Sequence, residues 1–270
     1  MKKLLVLILT GFMIFSNIVV ADAADLNTNA QINTEKLNLG IITVSYHAKT
    51  NSKIKVIVEK NSQAVTYNLK SDGTPESFPL QMGDGGYKVS ILENVEGNKY
   101  KYVSTENVNL DLANDNQVYL ESVQNINWDS SRAAIKKAGE LTKGLKTDEQ
   151  KIVAIYQYLV GNVTYDYDKL TTLRYDYLPD IDKTIAGGKG ICYDFASTFA
   201  AMLRSQGIPA KLVKGYAKGV SGYHAWNEVY DSEAGKWETI DPTYDSQMKA
   251  AREEYSMIKS SSNYDTVYEY

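Results

Sequence analysis

The chain has 270 residues, 43% of them hydrophobic, and a formal net charge of -4. That length leaves room for about two domains with filled cores. The acidic balance, with no cluster of Lys and Arg, argues against a nucleic-acid partner, because phosphate binding rests on clustered cations.

The chain opens with Met1-Lys2-Lys3, stays apolar over residues 4–15 and reaches Ala21-Asp22-Ala23. This is the charged, apolar and small-residue order of a secretory signal peptide over residues 1–23, with cleavage expected after Ala23. A membrane anchor is the alternative, opposed by Gly11, Ser16 and Asn17, which break a stretch already short of the roughly 20 apolar residues of a spanning helix. The expected mature protein is exported, secreted or at the cell surface, with no stable membrane insertion.

Residues 24–125 read as a β-rich, Ig-like domain. Short runs alternate apolar and polar residues over 41–46, 53–59, 64–69, 87–92, 99–104 and 117–121, with turn clusters such as Ser71-Asp72-Gly73 and Gly83-Asp84-Gly85-Gly86 between them. Strands at that spacing predict a β-sandwich. His47 lies at the end of one such strand without a cysteine or acidic cluster near it, and a surface or core role is expected for it.

The period changes near Trp128, and residues 126–270 read as a separate domain. Helical character runs over 130–145. A second helix starts at Thr147-Asp148-Glu149-Gln150, a capping-box sequence, continues through Ile152, Ile155, Tyr156 and Leu159, and closes at Gly161-Asn162. Residues 165–190 show no clean period and read as a long loop, either lining a substrate or merely packing tyrosines.

Gly187-Gly188-Lys189-Gly190 then leads into a helix that begins at Cys192 and stops before Gly207 and Pro209. Phe195, Phe199, Met202 and Leu203 give it a buried stripe. Cys192 is the only cysteine of the chain, so it is either an inert small hydrophobe or a free reactive thiol. A thiol near pKa 8.5 falls to roughly 3.5–7.5 at a helix N-terminus or beside a cationic imidazole.

Strands follow over 210–218, 222–230 and 236–241, the last two joined by Asp231-Ser232-Glu233-Ala234-Gly235. If Tyr230 pairs with Trp237, Trp226 faces Asp241, and His224 lies two residues away on the same face. Diagonal neighbours in such a pair are roughly 7–8 Å apart, within reach of long side chains. Asp241 is then placed to fix one imidazole nitrogen while the other meets the thiol, the nucleophile, base and orienter arrangement of covalent catalysis. A zinc site would need carboxylates beyond one Cys and one His, and no EF-hand loop is present, so no cofactor or metal is expected.

Four motifs in this order carry a resemblance. Gly190-Ile191-Cys192-Tyr193-Asp194-Phe195-Ala196, Gly207-Ile208-Pro209-Ala210, Gly222-Tyr223-His224-Ala225-Trp226-Asn227-Glu228-Val229 and Trp237-Glu238-Thr239-Ile240-Asp241-Pro242-Thr243 resemble the core signature of the transglutaminase-like superfamily. The resemblance spans roughly residues 147–244 and leaves the β-rich part untouched. It implies an α+β papain-like, transglutaminase-like core, a helix packed on an antiparallel sheet, with Cys192 as nucleophile, His224 as base and then acid, and Asp241 as orienter. Val163-Thr164-Tyr165-Asp166 resembles the segment before this core in bacterial members, so Tyr165 and the Cys192 amide become candidates for the oxyanion site.

The implied activity is acyl transfer from a protein or peptide amide through a thioester. Crosslinking to an amine and hydrolysis share the first half-reaction and stay open. Export would point to extracellular proteins or peptidoglycan peptides as substrates. An inactive surface-binding or adhesion protein on the same scaffold is the alternative.

Overall fold

The computed structural model describes residues 29–48, 52–129 and 132–270, so the signal-peptide expectation lies outside the described residues. Two compact units divide the chain, one ending at Gln124 and the other running from Asn125 to Tyr270.

The first unit is built from β1 (Ala30–Asn33), β2 (Ile41–Tyr46), β3 (Ile54–Lys60), β4 (Gln63–Leu69), β5 (Glu76–Pro79), β6 (Gly85–Glu96) and β7 (Lys99–Leu110). They form two antiparallel sheets in the orders β1-β2-β5 and β4-β3-β6-β7. Alternation buries Val44 on one sheet and Val56, Val58, Val89 and Ile91 on the other. The two sheets meet where the Tyr67 and Phe78 rings approach to 4.8 Å and where Tyr46 Oη donates to Glu93 at 3.1 Å. A sandwich core results.

Residues 117–121 are not a strand. Asp115–Leu120 is a 3-10 helix, started by the Asn114 side chain, which accepts the Asn116 amide at 3.0 Å. Val118 and Tyr119 are both buried, and successive residues of a strand would point to opposite faces. The asparagine cap, which competes with sheet pairing, decides the local structure. His47 is exposed and bonds the Asp72 carbonyl through Nδ1 at 3.0 Å, at an isolated antiparallel bridge between these two residues.

The second unit begins with α1 (Ala133–Thr142) and α2 (Asp148–Asn162). Thr147 and Gln150 exchange the expected capping bonds, Gln150 N to Thr147 Oγ1 at 3.2 Å and Thr147 N to Gln150 Oε1 at 3.3 Å. The segment read as a loop over 165–190 is more ordered than its pattern implies. It holds α3 (Tyr167–Leu170) and α4 (Ile181–Gly187), and it is closed by a parallel pair, β8 (Thr164–Tyr165) with β9 (Lys189–Gly190). Asp166 and Asp180 cap the two helices, which are too short to leave a readable period.

Then come α5 (Cys192–Arg204), β10 (Ala210–Ala217), β11 (His224–Asp231), β12 (Lys236–Ile240), α6 (Pro242–Ala251), β13 (Ile258–Lys259) and β14 (Tyr264–Glu269). The antiparallel sheet runs β13-β12-β11-β10-β14. Helix α5 packs on β10 and β11; Phe195, Phe199, Met202 and Leu203 of the helix are buried, as are Leu212, Val213 and Trp226 of the strands. Full burial of each large apolar side chain is worth about 1.5–3 kcal/mol. Asn227 Nδ2 bonds the Ala196 carbonyl at 2.9 Å, pinning the helix to the sheet. Buried Arg204 closes the far end, donating to the Ala210 and Tyr270 carbonyls at 2.8 Å each. A helix fixed at both ends on a sheet holds its N-terminal residue in one place. This α+β unit, a helix on an antiparallel sheet preceded in the chain by a two-sheet domain, is the expected fold class.

Candidate active site

Cys192 is the first residue of α5 and is partly exposed. The residue before it, Ile191, is extended and has no capping side chain. Asp194 supplies the cap from inside the helix, its Oδ2 accepting the Ile191 amide at 2.9 Å. That carboxylate is fully buried and also accepts Lys169 Nζ at 2.7 Å and the Tyr177 hydroxyl. It ties the 166–177 segment to the start of α5. Gly190 makes room for it, since a Cβ there would fall 2.7 Å from the Asp194 Cβ.

His224 and Asp241 come from adjacent strands. The hairpin pairs Tyr230 with Trp237 and Asn227 with Ile240, so the next step of the register sets Trp226 opposite Asp241, as the turn sequence implies. Pairing stops at Ile240. Pro242 cannot continue the ladder and instead starts α6, leaving Asp241 as the helix cap with Oδ1 accepting the Tyr244 amide at 2.9 Å. Its other oxygen accepts His224 Nε2 at 2.7 Å and Tyr264 Oη at 3.1 Å. Asp241 is fully buried and His224 is 4% exposed. The His224 ring stacks on Trp226 at 6.2 Å, and Trp226 in turn packs on Tyr264 at 5.0 Å.

Burial alone would strip the proton from this imidazole. The Asp241 charge and hydrogen bond, with a smaller contribution from Cys192, outweigh it and hold the His224 pKa up at about 10. The ring is therefore an imidazolium at neutral pH. With Nε2 taken by Asp241, Nδ1 is the nitrogen left for the thiol.

The structure thus brings Cys192, His224 and Asp241 together. Tyr165 joins them from β8. Burial and the nearby Cys192 charge push its phenol pKa upward, so it keeps its proton and can donate a hydrogen bond. Its ring packs edge-on to Tyr167 at 4.8 Å.

Sequence reasoning missed Tyr264 and the Asp194 cluster. Asp194 carried a signal, an acid at the third helical position before an apolar stripe. Tyr264 carried none, because its strand is joined to the site only by pairing with β10. That pairing needs Gly215, where a Cβ would fall 2.0 Å from the Asp265 carbonyl oxygen.

Residues 135–242 match the family described as the Transglutaminase-like superfamily. The protein-glutamine gamma-glutamyltransferase of Pseudomonas aeruginosa is 39% identical, with the match covering 20% of this chain and 10% of that protein. YebA of Bacillus subtilis is 34% identical over 34% of this chain and 15% of its own length. The periplasmic domain of TgpA from Pseudomonas aeruginosa is similar in structure with a TM-score of 0.39 at 13% identity, covering 84% of this chain and 95% of that one. The chain spans 10% to 31% of the length of the curated relatives it matches. Across residues 135–242, then, the chain is similar to the transglutaminase-like superfamily.

Proposed function

We propose that this protein is an exported cysteine enzyme that transfers acyl groups from protein or peptide amides through a thioester on Cys192. The observation that carries the reading is the buried His224–Asp241 bond beside a cysteine at a helix N-terminus. An imidazolium held at neutral pH and the unpaired amides of the first helical turn both favour a thiolate.

The Cys192 thiolate attacks the amide carbonyl, forming a C–S bond while the carbonyl π electrons move to oxygen. The Cys192 backbone N–H and the Tyr165 hydroxyl donate to that oxyanion. As the C–N bond breaks, His224 gives its proton to the departing amine and a thioester remains. An acceptor amine or water then loses a proton to His224, attacks the thioester and releases Cys192 as thiolate. The reading uses no metal or cofactor.

The order of residues 1–23 supports export, and the substrates export would imply are extracellular proteins or peptidoglycan peptides. The similarity to a protein-glutamine gamma-glutamyltransferase favours a glutamine side chain as one acyl donor.

The test is mass spectrometry of the products when the mature protein is incubated with glutamine-bearing and lysine-bearing peptides and with stem peptides. Crosslinking with loss of ammonia identifies a transferase, and addition of water at an amide identifies a hydrolase. Neither product from the wild type, with binding intact, would overturn the reading in favour of an inactive surface-binding scaffold.

A further inference from the structure

The charges around Cys192 are mostly matched in pairs. Asp241 is bonded to His224 at 2.7 Å and Asp194 to Lys169 at 2.7 Å. With His224 as imidazolium, these pairs are neutral, so a Cys192 thiolate adds one negative charge that neither cancels.

Lys214 stands beside this group. It lies on β10 next to Gly215, whose partner on β11 is His224. Its Nζ is 3.5 Å from the centroid of the Tyr193 ring, the residue that follows Cys192, and 5.2 Å from that of Tyr270. Lys214 is half-buried, and among the described residues no carboxylate or carbonyl bonds this ammonium. Its neighbours offer only tyrosine faces.

The titratable groups on the elements around it are accounted for. Helix α5 presents Cys192 and Tyr193, and burial raises the Tyr193 pKa, so that phenol is neutral. Strand β14 pairs Tyr268 with Lys214. The following Glu269 is bonded to Lys211 at 2.8 Å, as is Glu228 of β11 at 3.3 Å. Strand β11 pairs Ala225 with Lys214 and carries His224, already bonded to Asp241. Burial pulls the Lys214 pKa down to about 8, and Cys192 is the charge that opposes the pull. A lysine ammonium desolvated in this way is poised to respond to a nearby anion.

We propose that Lys214 is a positioning residue whose ammonium, seated on the Tyr193 ring, supplies the charge that balances the Cys192 thiolate. This rests on the reading of Cys192 as a thiolate nucleophile. The lysine forms no bond with substrate. It acts by holding Cys192 ionised and Tyr193 in place at the start of α5.

The experiment is the pH profile of Cys192 alkylation by iodoacetamide in the full mature protein, with far-ultraviolet circular dichroism as a check of folding. Wild type, Lys214→Met, Lys214→Gln, Lys214→Arg and His224→Gln are compared. Lys214→Met and Lys214→Gln are expected to move the thiol titration upward, so that labelling near pH 6.5 falls about 3- to 10-fold while labelling at full ionisation changes less than about 2-fold. Lys214→Arg should keep the wild-type midpoint. Folded Met and Gln variants that follow the wild-type curve would overturn the proposal, and so would loss of folding in both, which would make Lys214 structural. A wild type that titrates like a free thiol and is unmoved by His224→Gln would instead overturn the reading of the site itself.

Discussion

The two units of this chain bury charged groups in different ways. In the two-sheet unit the buried carboxylates each meet a lysine at the surface. Glu93 takes Lys101 at 3.2 Å and the Tyr46 hydroxyl at 3.1 Å, and Glu76 takes Lys70 at 3.7 Å. The lysines are more than half exposed and the pairs stand apart from one another. In the second unit His224, Asp241, Asp194 and Lys169 gather around the start of one helix, and each acid there accepts several donors. Packing explains the first pattern. The second concentrates desolvation cost at one place, which a fold tolerates where chemistry needs fixed charges.

The sharpest way to break this contrast is Asp241→Asn. The asparagine retains a capping oxygen for Tyr244 but removes the charge that keeps His224 protonated. A loss of about 10²- to 10⁴-fold in kcat is expected, by the logic of an orienting acid in a nucleophile, base and acid arrangement. The same variant tests the electrostatics through stability. His224 has a folded pKa raised from its ordinary 6.5 to about 10. Its contribution to stability is therefore fully present below about pH 6.5 and is lost as pH rises toward 10. Thermal melts of the wild type should show that decline, and Asp241→Asn should flatten it. Equal slopes in the two proteins would remove the ion pair from the account.

A smaller effect is expected from Tyr264→Phe, which deletes one donor to Asp241 and leaves the ring on Trp226. Stability should fall by about 1 kcal/mol and kcat by about 2- to 12-fold, the usual worth of one hydrogen bond. Steady-state kinetics with denaturant melts separate the two. Unchanged kcat would reduce Tyr264 to a packing residue.

The smallest effect belongs to the other unit. Glu93→Gln should cost about 1 kcal/mol or less in denaturant melts and leave Cys192 labelling unchanged. A change in labelling would show that buried charges in the two-sheet unit also serve the site.

Legibility in the sequence followed the range of the interactions. The Tyr230–Trp237 register was readable because a short turn over 232–235 joins two alternating strands, and a hairpin's register is set by its turn. Cys192 at a helix start was readable from glycines before it and an apolar stripe after it. The 3-10 helix at Asp115–Leu120 was not, since its apolar residues mimic a strand and an asparagine cap decides the matter. Tyr264 and Lys214 were invisible for a different reason. Their relation to the site depends on which strand lies beside β10 and on Gly215 letting β14 approach, and no local pattern encodes either.

The central claim is an activated thiol at Cys192, and its most direct test is the rate of iodoacetamide labelling at neutral pH in the folded protein against the same protein unfolded in denaturant. Labelling at Cys192 is expected to be at least about 10-fold faster in the folded state, where a helix N-terminus and an imidazolium favour the thiolate. A folded protein that labels no faster than its unfolded chain would contradict the claim.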